Sequence, residues 1–386
     1  MSDQLHSFFK QIPDSWDDVL SVVVKYGFVP TLVGGTVRDF FLYQKIGKDW
    51  DLEISHPTLS YNQDHWKSFN KDLGKLGKTT LLPYDIIRLD YKTIQFEFSP
   101  QRKEIFVDAL NGHKNFKAEH DFNLTFKEAS QRRDFTINAM GIDLKNKKLI
   151  DPLEGLKHLR EKMLVPCGEN FEKDPVRFLR AMRFSLLFKM DYSEQLKEML
   201  KRMDLSYISF HYLWSEMKKS QDPVKFFSRL QEESQNHPEL KLPLMKSIKD
   251  LEVTDPLSQD SWILSLCWAN FETQNWERFF NLSPDQCKKI RRWCEISQEL
   301  RKIDMEVLKG EFEEIHSKKE FQQVFDWYFA TKQILQKTPE STLESFIQKY
   351  LQEWSYLFKF ELVRDVKHID PPLRAKYQVW NLCQRI

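Results

Sequence analysis

Cysteine is scarce in this chain, and what there is lies scattered. Cys167, Cys267, Cys287, Cys294 and Cys383 include no C-x-x-C pair, so neither the spacing of a zinc site nor a disulfide framework is present. A reducing, cytoplasmic setting is the corresponding expectation. Long hydrophobic runs are missing too. No stretch approaches the length of a membrane-spanning helix, and the opening MSDQLHSFFKQIPDSW lacks the charged start and apolar core of a signal peptide. Net charge is nearly absent: 58 lysines and arginines balance 57 aspartates and glutamates, leaving +1. No global basic field announces a nucleic-acid binder, although binding needs only a local basic face. Short basic clusters occur at Arg132-Arg133, at Arg177, Arg180 and Arg183, and at Lys288-Lys289 with Arg291-Arg292. Each taken alone reads as a solvated helix face. Internal repeats and low-complexity tracts are also lacking.

What is present fits a globular protein. Hydrophobic residues make up 41% and charged residues 30% of 386 positions, enough for roughly two to three domains. Residues 1–150 read as mixed α and β. Asp14-Ser15 opens an apolar-periodic helix that stops at Gly27. FVPTLV (28–33) reads as a buried strand broken by Gly34-Gly35, and TVRDFFLYQ as the helix that follows. DWDLEIS (49–55), IIRLDY (86–91) and TIQFEFS (93–99) have the alternation of strands. MGIDL and KKLID flank a turn at Lys145-Asn146-Lys147 and read as a hairpin. After about Asp151 glycine almost vanishes, and aromatics recur at helical spacing, as in SWILSLCWANF (261–271) and CKKIRRWCEISQELRKI (287–303). This half reads as all-helical, its aromatic stripes packing helix pairs together.

Two features carry chemistry. Asp49 and Asp51 lie two apart on a strand, so the pleat puts both carboxylates on one face. Such a pair suits Mg²⁺, which takes hard oxygen ligands and keeps positions open for phosphate. Glu97 leaves its strand by the face opposite Phe96 and Phe98 and becomes a third acidic candidate if the two strands are neighbours. Upstream, strand, Gly34-Gly35 and helix form a phosphate-binding order: the glycines admit close backbone approach and the helix N-terminus offers N–H donors. Arg38 on the first helical turn adds a charge-assisted donor.

At this point the residues resemble a family. LVGGTVRD…KDWDLE (32–53) resembles the first motif of class II tRNA nucleotidyltransferases and bacterial poly(A) polymerases. QRRDFTINAMGID (131–143), LIDPLEGLKHLREKML (149–164), FEKDPVRFLRAMRF (171–184) and SFHYLWSEMKK (209–219) are similar to the second to fifth motifs, in order. The resemblance implies an α+β fold. Its parts would be a polymerase β-like catalytic head with a small, five-stranded mixed sheet at 1–150, a helical neck at 151–220, a helical body at 221–300 and a helical, tRNA-binding tail at 301–386. It also implies a monomer that adds C, C and A to tRNA 3′ ends from CTP and ATP with Mg²⁺. Asp49 and Asp51 match the metal ligands, with Glu97 as a further catalytic carboxylate. Arg133, Asp134 and Asn138 match the residues that hold the ribose and triphosphate. Asp174 and Arg177 match the pair that reads the incoming base, with Arg180 and Arg183 continuing the series to hold the helix or touch phosphate. Poly(A) addition and partial addition of only CC or only A are the alternatives, and a catalytically dead RNA-binding relative is another.

The chain departs from the family pattern in places. Tyr43-Gln44 stands where a glycine usually ends the first helix, Glu154 replaces a common glycine, and His158 replaces a common aspartate. Lys173 replaces the glutamate before Asp174, and His211-Tyr212 stands in place of Glu-Arg.

Overall fold

The computed structural model describes residues 2–106, 116–206 and 208–236, together with Trp262, Ile263, Leu266, Phe279–Pro284, Cys287, Lys288 and Arg291. The tail and most of the body lie outside the described residues, as do most positions of the two long helices expected at 261–271 and 287–303. The chain divides into two units, Met1–Ile208 with Asn236–Lys241, and Ser209–Gln235 with Leu242–Ile386.

The first unit begins with helices α1 (Ser2–Lys10) and α2 (Ser15–Lys25). Strand β1 (Val29–Val33) runs into α3 (Gly35–Tyr43), then β2 (Asp49–Ser55) and α4 (Gln63–Leu73) follow. Next come β3 (Lys78–Leu82), β4 (Ile86–Tyr91), β5 (Ile94–Pro100) and the hairpin β6 (Arg102–Phe106) and β7 (Phe116–His120). Helix α5 (Phe126–Ser130) precedes the hairpin β8 (Gly141–Asp143) and β9 (Lys148–Ile150). Helix α6 (Gly155–Arg160), β10 (Met163–Leu164), α7 (Val176–Phe188), β11 (Asp191–Tyr192) and α8 (Glu194–Arg202) close the unit. In the second unit, α9 (Phe210–Lys219) and α10 (Pro223–Asn236) follow, with Phe210 edge-on to Phe279 and Phe280 and Phe227 against Trp262.

One sheet organises the first unit. Its order is β3-β4-β5-β2-β1-β8-β9, with β2 and β5 parallel and the other pairs antiparallel. Seven strands replace the five expected. The edge strand β3 (KTTLL) was invisible to pattern reading because half-exposed threonines and Leu81, 59% exposed, replace the usual buried alternation. The β6–β7 hairpin was missed as well, and the second half is not wholly helical: β10 and β11 make a short parallel pair.

Period 2 along β2 decides what faces what. Trp50, Leu52 and Ile54 are fully buried, and Trp50 packs against Trp16 of α2 and Phe96 of β5 at ring separations of 5.6 Å. A second aromatic cluster joins Phe28, Trp66, Phe69, Phe98 and Phe122. Asp49, Asp51 and Glu53 project from the opposite face of β2.

Two departures from the family pattern acquire a physical meaning here. Gln44, the C-cap of α3, sits at φ 57°, and Glu154, which precedes α6, sits at φ 56°. Both are left-handed, the region where glycine is favoured and a side chain costs about 1 kcal/mol or more. The chain keeps the backbone path and accepts the strain. Asp151 offsets part of it at α6 by accepting from the N–H groups of Gly155 and Leu156 at 2.7 and 2.9 Å.

Candidate active site

The site lies at the junction of β1, β2 and β5. Asp51 is in register with Val33 on one side and Glu97 on the other. Val33 ends β1, and the next residue, Gly34, turns at φ 77° into α3. A Cβ at Gly34 would stand 3.0 Å from Asp51 Oδ2, so only glycine lets the turn lie against the carboxylate. Thr36 on the first turn of α3 donates to the Asp49 carbonyl at 2.5 Å, which ties the helix N-terminus to the acidic end of β2. The glycine turn and the paired carboxylates therefore meet at one point.

Electrostatics at that point favour a cation. The Asp51 carboxyl is pushed up to about 6, first by desolvation beneath the turn, with Glu97 and Asp49 adding like charge and Arg133 and Arg132 opposing. Among the described residues no three His, Cys, Asp or Glu side chains converge into a metal cage. Asp49 and Asp51 instead form an open pair, the ligand count that suits a cation sharing its shell with substrate oxygens and water. Glu97 stands beside Asp51, but Arg88 of β4 grips its Oε1 through Nε at 3.0 Å and through a terminal nitrogen at 2.7 Å.

The nucleotide-side candidates are brought together more tightly than spacing foretold. Arg38 donates to Asn138 Oδ1 at 2.7 Å, Asn138 Nδ2 donates to Asp134 Oδ1 at 2.9 Å, and Arg180 Nε donates to Asp134 Oδ2 at 2.6 Å. The Phe135 N–H also donates to Asp134 Oδ1, at 2.7 Å. This buried relay fastens α3, the 136–138 turn and α7 to one another. Arg38 further lies over the rings of Phe184 and Phe188 at 5.2 and 4.7 Å, and Arg183 over Phe184 at 4.1 Å. Burial alone would raise the Asp134 pKa. Arg180, Asn138 and the Phe135 N–H outweigh it and hold the carboxyl down at about 2. Asp134→Ala would strand Arg180 and Asn138 and is expected to cost roughly 3–5 kcal/mol, measured by urea unfolding at pH 7. Because the folded pKa is depressed, this stabilisation is fully present above the ordinary carboxylate pKa of 3.8 and fades as pH falls through about 2. The gap between variant and parent should therefore shrink over that window.

At the start of α7, Asp174 accepts from the Val176 N–H at 2.9 Å and so caps the helix. Arg177, 6% exposed, donates to the carbonyls of Asn170 at 3.1 Å and Arg132 at 2.6 Å. The proposed base-reading pair is thus adjacent, and Arg177 also braces the Arg132-Arg133 turn. His158 faces Thr136 Oγ1 from Nδ1 at 2.9 Å, a link between the third and second motifs.

One residue escaped sequence reading. Glu53, third on the same face of β2 as Asp49 and Asp51, is 2% exposed. Its Oε2 accepts from Arg132 at 3.1 Å and Arg133 at 3.0 Å. Burial opposes its charge, but Arg133 and Arg132 outweigh it and hold the carboxyl below its usual range. The period-2 series Asp49, Asp51, Glu53 was the available signal.

Residues 31–165 match the family model of the poly A polymerase head domain. The chain is similar over 200 residues, at 33% identity, to a multifunctional CCA protein of Xylella fastidiosa, covering 49% of this chain and 44% of the relative. A CCA-adding enzyme of Buchnera aphidicola is 32% identical over 196 residues, again 49% of this chain and 44% of the relative. The chain thus spans less than half the length of these curated relatives. A Staphylococcus haemolyticus CCA-adding enzyme matches over 300 residues at 27% identity, 74% of this chain and 69% of the relative. Among solved structures, an apo CCA-adding enzyme aligns with a TM-score of 0.56 at 16% identity, over 98% of this chain and 92% of that one. A CCA-adding enzyme in complex with ATP aligns with a TM-score of 0.54 at 16% identity, with the same coverage. These structural likenesses, at 16% identity, show the fold alone. Among the described residues no helix is long and apolar enough to cross a membrane.

Proposed function

We propose that this chain is a template-independent tRNA nucleotidyltransferase that adds C, C and A to the tRNA 3′ end from CTP and ATP. The observation that carries this reading is the Gly34 turn lying against Asp51, beside Arg132 and Arg133, whose buried Nε atoms have no hydrogen-bond partner among the described residues. An anionic substrate seated at the α3 N-terminus would satisfy such donors, and a divalent cation would relieve the crowding of Asp49, Asp51 and Glu97. The names of the relatives, CCA-adding enzyme and multifunctional CCA protein, support CCA addition. Solved CCA-adding enzymes of this fold in complex with ATP and with CTP support the nucleotides.

In the reaction the RNA 3′ hydroxyl forms a new bond to the α-phosphorus, and the bond to the β-phosphate oxygen breaks to release pyrophosphate. Mg²⁺ held by Asp49 and Asp51 would supply activation of the hydroxyl and neutralisation of phosphate charge. The chain's own contribution is positioning. Backbone donors at Gly34 and Gly35 and the guanidinium of Arg133 orient the triphosphate. The Asp134–Asn138 relay fixes the ribose side and offers an acceptor near a ribose hydroxyl, which favours NTP over dNTP. Asp174 and Arg177 select the base. Cytosine and adenine each present an amino donor beside a ring acceptor, which an accepting Asp and a donating Arg complement, whereas uracil and guanine present the reverse order.

Product length tests the reading. tRNAs lacking three, two or one of the terminal C, C and A, given Mg²⁺, CTP and ATP, should grow by three, two and one nucleotides and then stop. Long adenylate tails would identify a poly(A) polymerase, arrest after CC a partial enzyme, and no extension a dead relative.

A further inference from the structure

We propose that Glu53 is a positioning residue for the substrate triphosphate, acting through Arg133; this rests on the nucleotidyltransferase reading above. A carboxylate has no reason to be buried on the polar face of β2 unless it is paired, since an isolated buried charge is strongly disfavoured. Glu53 is paired twice, with Arg132 and Arg133 on one oxygen. The two arginines differ. Arg132 also lies 3.9 Å from Glu104, which is itself held by Arg102 at 3.3 Å. For Arg133 the ion pair is with Glu53, at 3.0 Å.

The physical consequence is preorganisation. A free arginine has rotamer entropy to lose, which binding must overcome each time the side chain is ordered. Glu53 holds Arg133 by a charge-assisted hydrogen bond before substrate arrives. It does so from the same rigid strand as Asp49 and Asp51, two residues on, or about 7 Å along the strand, which is the scale of a triphosphate. One strand thereby sets the distance between the cation-holding carboxylates and the guanidinium that meets the phosphate oxygens. A purely structural clamp would show itself in folding. A positioning clamp shows itself in nucleotide affinity, and only when Arg133 is present.

A double-mutant cycle on the full chain separates the two. ATP and CTP affinities in Mg²⁺ would be measured by calorimetry for the parent, Glu53→Gln, Arg133→Gln and the double variant, each shown to be folded by its melting curve. KM and kcat would be followed in parallel. Each single variant is expected to weaken binding about tenfold, or about 1.4 kcal/mol, and the double variant also about tenfold rather than a hundredfold. For Glu53→Gln the KM should carry the loss, with kcat at saturating nucleotide within about threefold of the parent. If Glu53→Gln does not fold, Glu53→Asp, which keeps the charge and withdraws it by one methylene, is expected to show the same pattern with a smaller loss. Parent-like affinity in folded Glu53→Gln, or losses that multiply in the double variant, would overturn the proposal. A parent chain that binds neither ATP nor CTP in Mg²⁺ would instead overturn the nucleotidyltransferase reading, and this inference with it.

Discussion

Replacing Asp51 by alanine is expected to lower nucleotide addition by on the order of a thousandfold or more, while the protein stays folded. Asp51 sits where the Gly34 turn, β1 and β5 converge. Its carboxylate would hold the cation at the same point where the α3 N-terminus receives phosphate. Single-turnover assays at saturating Mg²⁺ and CTP would measure the loss. The stability of the same site moves the other way. The Asp51 carboxyl is pushed up to about 6 from 3.8, so in the absence of metal its ionisation opposes folding above about pH 6, and this penalty disappears as pH falls below 3.8. Asp51→Asn should therefore raise the melting temperature of metal-free protein at pH 8 and leave it little changed near pH 4. Near-normal turnover by Asp51→Ala would remove the metal assignment and leave β2 a structural strand.

The second large effect concerns choice of base. Asp174→Asn is expected to narrow the preference for CTP and ATP over UTP and GTP by roughly ten- to a hundredfold. A bidentate polar match is worth about 1–3 kcal/mol, and 1.4 kcal/mol is a factor of ten. Asparagine suits the test better than alanine. Asp174 also caps α7 by accepting from the Val176 N–H; asparagine keeps that cap, whereas alanine would lose roughly 1 kcal/mol of helix stability along with any base contact. An amide presents a donor where the carboxylate only accepts, so the variant reverses the hydrogen-bond polarity offered to the base without disturbing Asp49 or Asp51. Rates for all four NTPs on tRNA lacking only its terminal A would read the outcome. Retained preference for ATP over GTP would move base selection away from α7. The helix would then keep only the bracing role seen for Arg177, which ties Asn170 to the Arg132 carbonyl.

The sequence by itself determined the elements that local physics controls. β2 and β4 fall on the expected residues because alternation along a strand follows from the pleat. The helix over Ser15–Lys25 follows from its apolar periodicity, and the break at Gly34 from a backbone angle that excludes side chains. The shared face of Asp49 and Asp51 needs nothing beyond that strand. What only the tertiary structure decided involves partners distant in the chain. Glu97 became a neighbour of Asp51 because β5 pairs in parallel with β2, a choice no local pattern encodes. Asn138 meets Arg38 across 100 residues and Arg133 meets Glu53 across 80. Glu53 is the clearest case. On the strand it is one more polar position in a period-2 series, indistinguishable from the exposed Asp49 and Asp51. It becomes a buried clamp because the Arg132-Arg133 turn covers that end of the strand, and a carboxylate withdrawn from water there is stable only with those two guanidiniums beside it.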